Sequence, residues 1–216
     1  MAKIHGLYIG EITTFDAGGE RTAIYKHLVE STAINSLGLR GDSQADPRFH
    51  GGPDKAVHQF AVSAYRTIHA AYPALIESAK PGSMGENLSV DDMSDESVFI
   101  GDIYKAGSVI LQVSEPRRPC WKINRKFNED KLSLFVESEA ITGWYFRVLQ
   151  AGQVAIGDAM LLEERSQSIW NIAGFTQLVT QHRPAIDALK DLVGCHGLSA
   201  LWQKKLSDRI KFLSRT

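Results

Sequence analysis

The sequence predicts a mainly β protein with some α: a mixed or barrel-like sheet followed by three helices. Three observations carry that prediction. Up to about residue 165, short runs with β character are separated by Gly, Pro, Asp or Ser punctuation. These runs lack the regular βαβ alternation of a doubly wound fold. Beyond residue 165 the apolar residues recur at helical spacing instead. The expected organisation is a β domain over residues 1–165 and a three-helix segment over 166–216.

Taken in order, the clearest strands are "KIHGLYIG", "VHQFAVS", "SVILQVS", "WYFRVLQ" and "AMLLEE". A helix over "SAYRTIHAAYPALIES" should break at Pro73, because an internal proline lacks its N–H and clashes with the preceding turn. Another helix is expected within "PCWKINRKFNEDKLSLFVES". In the C-terminal segment Ile169, Ile172 and Val179 lie close to one helical face, and Ile186, Leu189 and Val193 stripe the next, with Pro184 at its start. Trp202, Leu206, Ile210 and Leu213 stripe the last. Three short amphipathic helices cannot bury their stripes alone. Together with "WYFRVLQ" they suggest a homodimer contact, and packing on the same chain fits the pattern equally well.

The 216 residues are 44% hydrophobic and 23% charged, ordinary for a globular chain with a substantial core. A formal charge of −1 excludes a global positive field for nucleic acid or anionic membrane, so any anion must be bound by local geometry. There is no apolar run of membrane-spanning length and no signal-peptide pattern in "MAKIHGLYIGEI", so a cytoplasmic location is expected. Cys120 and Cys195 form neither a disulfide framework nor a CxxC metal site.

Three stretches could carry chemistry. In "HGGPDKAVHQF", Gly51 and Gly52 permit backbone angles closed to other residues and let a ligand approach the main chain. Such a turn can aim successive N–H groups at an anion, with His50 and Lys55 adding charge or donors; a plain strand-entry turn accounts for the same residues. In "GSMGENLSV", Gly85 and Glu86 precede Asn87, whose amide both donates and accepts and suits either a heterocycle edge or an Asx-turn. "IGDIYKAG" and "AIGDAML" read as hairpin turns.

The third stretch, "SEPRRPCWKINR", follows the strand "SVILQVS" directly. Pro116 and Pro119 stiffen the backbone around Arg117 and Arg118, and Cys120 follows, with Lys122 and Arg125 nearby. Clustered cations favour a thiolate, which can serve as nucleophile, redox group or soft metal ligand. A hydrolase nucleophile would need an oriented histidine base, and no nucleophile-elbow motif is present. Cys195, in "VGCHGL", has no comparable setting and reads as structural.

In this order, "HGGPDKAVHQF", "GSMGENLSV", "IGDIYKAG", "SEPRRPCWKI" and "VAIGDAML" resemble the MOSC domain family, named for the molybdenum cofactor sulfurase C-terminal domain. The C-terminal helices further resemble its stand-alone bacterial members that reduce N-hydroxylated bases such as 6-hydroxylaminopurine. The resemblance implies a MOSC-type β-barrel core and a molybdenum cofactor (Mo-molybdopterin), with Cys120 as catalytic residue and protein ligand to the metal. It implies that His50, Gly51, Gly52, Lys55, Gly85, Glu86, Asn87, Arg117 and Arg118 bind or shape the site of the cofactor. It further implies reduction of N–OH to an amine in detoxification, with His50 or Glu86 relaying protons. With only two cysteines and no GxGxxG fingerprint, electrons must come from a separate flavin or iron–sulfur reductase. The alternative is a carrier of the cofactor or of its sulfur, without turnover.

Overall fold

A computed structural model describes residues 1–15 and 19–215; residues 16–18 of the expected β domain and Thr216 of the helical segment lie outside the described residues. The strands are β1 (Ile4–Ile9), β2 (Thr13–Thr14), β3 (Arg21–Thr22), β4 (His27–Val29), β5 (Ser31–Asn35), β6 (Gly38–Leu39) and β7 (Val57–Ala61). They continue with β8 (Leu88–Val90), β9 (Ile103–Ala106), β10 (Val109–Pro116), β11 (Trp144–Gln150), β12 (Gly152–Ala155) and β13 (Met160–Glu164). The helices are α1 (Pro47–His50), α2 (Val62–Ala71), α3 (Trp121–Phe127), α4 (Leu132–Ser138), α5 (Ile172–Thr180), α6 (Ile186–Val193) and α7 (Ala200–Leu213).

Eight strands form the main sheet in the order β13-β9-β10-β11-β7-β8-β1-β4. Its pairings are antiparallel except β7 with β8, which run parallel because α2 carries the chain across between them. The sheet curls so that the chain entering β13 meets the start of β1, the strand beside the β4 end. Lys3 bridges Ala159, with Ile4 N–H on Asp158 O, Gly157 N–H on Ile4 O and Met160 N–H on Ala2 O, each at 2.9 Å. The barrel-like expectation therefore takes the form of a curled sheet joined by a short seam, not by a full ladder. Small sheets β12-β5-β6 and β2-β3 flank it.

Strand β7 is buried at every residue, as expected where both faces of a central strand are covered. Trp144, Phe146, Phe60 and Phe175 are fully buried at the centre of the core. Since Trp144 and Phe146 lie inside their own chain, this part of "WYFRVLQ" is not free to form a dimer contact. Helix α2 stops at Ala71, and Pro73 opens a 3-10 turn, Pro73–Leu75, as the sequence predicts. The helix expected within residues 119–138 is two helices. Asn128 takes a left-handed conformation (φ 52°) that ends α3, and α4 starts at Leu132.

Helix α5 starts later than the apolar stripe suggests. Asn171 caps it by accepting from Gly174 N–H at 2.7 Å, leaving Ile169 outside and 74% exposed, while Ile172, Phe175 and Leu178 are buried. Ser199 caps α7 in the same way, accepting from Trp202 N–H at 3.3 Å. The Trp202 ring meets Phe175 edge-on at 5.0 Å, and Ser199 N–H donates to Ser114 O of β10 at 3.0 Å. The three helices thus pack on one another and on the end of β10, beside the chemically interesting loop.

Candidate functional site

The loop after β10 is held from both sides. Arg117 N–H donates to Gly143 O at 2.9 Å, and Gly143 N–H donates to the buried Asp95 carboxylate at 2.8 Å. Arg117 is itself buried; its Nη2 donates to Met84 O at 3.2 Å, while Nη1 has no hydrogen-bond partner among the described residues. Pro119 then delivers Cys120, half-buried and with extended backbone, at the position preceding α3.

Cys120 lines a narrow cleft together with Arg117, Lys55 and His58. The wall beyond it comes from the parallel β7–β8 pair. Asn87, just before β8, accepts from His58 N–H at 3.1 Å through its side-chain oxygen. Its amide nitrogen donates to Tyr8 O at 3.2 Å and Asp42 at 2.8 Å. Asn87 therefore forms no Asx-turn; it ties β1, β7 and the segment after β6 together. Asp42 also forms a buried ion pair with Lys26 and accepts from Gly10 N–H at 2.8 Å. Gly85, at φ 81°, lies against Ile24, where a Cβ would stand 3.1 Å from that side chain.

The cleft is electropositive. Burial, then the Arg117, Lys122 and Lys55 charges, push His50 down to about 4, so it is neutral at neutral pH. His58 is fully buried and held well below the usual imidazole range, first by burial and then by Arg117; its Nε2 has no partner among the described residues. The His58 ring lies 5.2 Å from that of Tyr145, centre to centre. Burial pushes the Tyr145 phenol up to about 12, so it keeps its proton.

Of the residues expected at the site, His50, Lys55, Gly85, Asn87, Arg117 and Cys120 line this one cleft. Four do not. Gly51 packs against Gln44 and Pro47, where a Cβ would come within 2.8 Å and 3.2 Å of them. Gly52, at φ 94°, caps the 3-10 turn Pro53–Lys55 by accepting Lys55 N–H at 3.0 Å, and His50 N–H goes to Asp46 O at 3.0 Å. Part of the main-chain donor set of the glycine turn is therefore used within the turn itself. Glu86 is fully buried beneath the loop, accepting from Tyr65 O–H and Gly82 N–H at 2.6 Å each and from Ser89 O–H at 3.1 Å. It braces the loop and is sealed from solvent. Arg118 faces an outer vestibule together with Lys205 of α7.

Sequence reasoning missed Lys26, Asp42, His58 and Tyr145 as wall residues. Tyr145 sits in a strand that reads as core, and His58 is one of seven histidines without local distinction.

Among the described residues, no group of three or more His, Cys, Asp or Glu side chains converges to hold a metal. A single thiol beside unpartnered buried donors suits a metal whose other ligands arrive with an anionic organic cofactor. The residues present fit a pterin-type cofactor in that sense. No helix among the described residues is long and apolar enough to cross a membrane.

A curled sheet carrying one cysteine over an electropositive cleft defines a mixed α/β domain with a single candidate site on its loops, and comparison gives the class its family. The MOSC domain model matches residues 46–161, and the chain belongs to the MOSC domain family. Protein YiiM of Escherichia coli is 30% identical, with 97% of this chain and 95% of that protein covered. A protein named "Reductase" from Gibberella moniliformis is 36% identical over 84% of this chain, which spans 33% of its length. The crystal structure of YiiM from Geobacillus stearothermophilus superimposes with a TM-score of 0.82 at 26% identity, covering 97% of this chain and all of that one.

Proposed function

We propose that this protein is a molybdenum-cofactor oxidoreductase that reduces N-hydroxylated compounds, such as 6-hydroxylaminopurine, to amines. The observation that carries the reading is the placement of Cys120, the one thiol of the cleft, across from Arg117 and His58, whose unpartnered buried nitrogens need an incoming ligand. The relative named "Reductase" supports the reaction class.

In this reading Cys120 supplies the protein's sulfur ligand. Arg117, Lys55 and Lys122 offer cations to the anionic groups of the cofactor, with Arg117 contributing its free Nη1. Asn87 is already committed to three protein groups, so it fixes the wall rather than reading the ligand. When bound, the cofactor would supply the two-electron chemistry that converts N–OH to amine and water. Protons can reach the cleft through Tyr145, which stays protonated and lines both the cleft and the vestibule outside it. His50, held at about 4, stays neutral and resists taking up a proton, and buried Glu86 takes no part. Two cysteines cannot hold a four-thiolate iron–sulfur cluster, so a separate flavin or iron–sulfur reductase supplies the electrons.

The test is metal and pterin analysis of the purified protein, followed by reduction of 6-hydroxylaminopurine with a chemical reductant. Full molybdenum occupancy with no substrate-dependent oxidation would turn the reading toward a carrier. Absence of both molybdenum and pterin would end it.

A further inference from the structure

Outside Cys120 the cleft opens into a vestibule whose far wall is not part of the curled sheet. Helix α7 supplies Leu201, Trp202 and Lys205, and α3 supplies Trp121. Two features of this wall have no role in holding the sheet together. Trp121 and Leu201 leave large apolar surfaces exposed, at 49% and 43%. Arg118 and Lys205 converge from the β10 loop and from α7, and neither has a carboxylate or hydrogen-bond partner among the described residues.

The other cations nearby are engaged. Lys55 pairs with Glu115 at 3.4 Å, and Lys122 donates to Arg21 O at 2.7 Å. Lys205 lies over the Trp202 ring, 5.2 Å from its centre, which directs its stem along the wall. Partial burial, then the facing Arg118 and Lys55 charges, hold its ammonium below the ordinary lysine range. Glu115, already paired with Lys55, is the carboxylate whose charge reaches Lys205 here; with no carboxylate at ion-pair distance from either among the described residues, Arg118 and Lys205 disfavour each other until an anion arrives between them.

We infer that the vestibule is a subsite for a phosphate monoester carried on a flat ring, with Arg118 and Lys205 receiving the phosphate and Trp121 and Leu201 flanking the ring. Resting on the proposed reduction of N-hydroxylated bases, this makes the preferred substrate the nucleotide form rather than the free base. The same phosphate chemistry occurs at the end of a pterin cofactor, so the experiment has an arm for each source.

Binding of adenosine 5′-monophosphate and of adenosine to the full-length holoprotein is measured by calorimetry at low salt. The monophosphate should bind about tenfold more tightly, as expected for one charge-assisted contact. The Arg118→Gln/Lys205→Gln variant should bring the two to parity, and the Lys205→Arg variant should keep the preference. Equal affinities in the wild type, or an undiminished preference in the double variant, overturn the subsite. Pterin content of the double variant is measured in parallel. Unchanged content supports a substrate phosphate, and loss of pterin reassigns the pair to the cofactor and overturns the inference. Failure of the wild type to reduce any N-hydroxylated purine would sink the proposed activity, while the binding preference would still decide the subsite.

Discussion

Arg147 grips Asp54: its Nε and Nη2 donate to one Asp54 oxygen at 2.9 and 2.7 Å. The third nitrogen, Nη1, donates to Gln112 at 2.9 Å and to Gly197 O at 2.7 Å. One guanidinium on β11 therefore joins the glycine turn, β10 and the start of the α7 region. Asp54 anchors the turn next to Lys55. Arg147→Met should lower unfolding free energy by roughly 2 kcal/mol, the worth of its charged hydrogen bonds. Urea titration checks this, and an unchanged midpoint would refute the clamp.

The Cys120 thiol makes no hydrogen bond among the described residues, so Cys120→Ala should leave stability within about 1 kcal/mol of wild type. Molybdenum content and reduction of 6-hydroxylaminopurine should fall to near zero. Normal turnover by this variant would refute the ligand assignment.

Glu86 holds two buried donors at 2.6 Å, and truncation strands both. Glu86→Ala should cost on the order of 3 kcal/mol. A stable variant with a selective loss of turnover would show instead that Glu86 takes part in the chemistry.

Burial raises the Asp95 carboxyl to about 7, against the opposing hydrogen bond from Gly143 N–H. The folded state therefore binds the proton more tightly than the unfolded chain does. The associated stability is present below about pH 4 and is lost as pH rises through about 7. Asp95→Asn, which keeps an acceptor for Gly143, should be more stable than wild type near pH 9 and lose that advantage near pH 5. Parallel stability curves across that range would contradict the assignment.

The helices after residue 165 cover the end of β10 through the Ser199–Ser114 hydrogen bond, and the Phe175–Trp202 contact joins α5 to α7. A chain ending at Arg165 should therefore aggregate or unfold. If it stays folded but sizes at half the wild-type mass, the helices form a dimer interface instead.

Much of this architecture was legible where a local pattern coincided with burial. β1, β7, β11 and β13 fall within runs that read as strands, β10 overlaps its run and continues beyond it to Pro116, and the Pro73 break appears as expected. Strands β2, β3 and β6, two residues each, carry too little pattern to be read, and β4 is mostly exposed. The α3–α4 division depends on a left-handed Asn128, which no periodicity reveals. At the site, Cys120, Arg117, Lys55 and Asn87 stand out because Gly or Pro marks their loops. Lys26 and Asp42 become wall residues only through their pairing across the fold, and Glu86, which stands out in sequence as a site residue, lies buried beneath its loop.

The seam between Lys3 and Ala159 has a consequence for biosynthesis. While the ribosome is still at work, β4 can already cover Leu7–Ile9 of β1, but the edge at Ala2–Ile4 has no partner yet. That edge stays open to stray pairing until nearly all of the β portion has emerged. The cleft wall draws on Tyr8 of β1 through Asn87 and on Tyr145 of β11, so it is complete only once β11 has emerged.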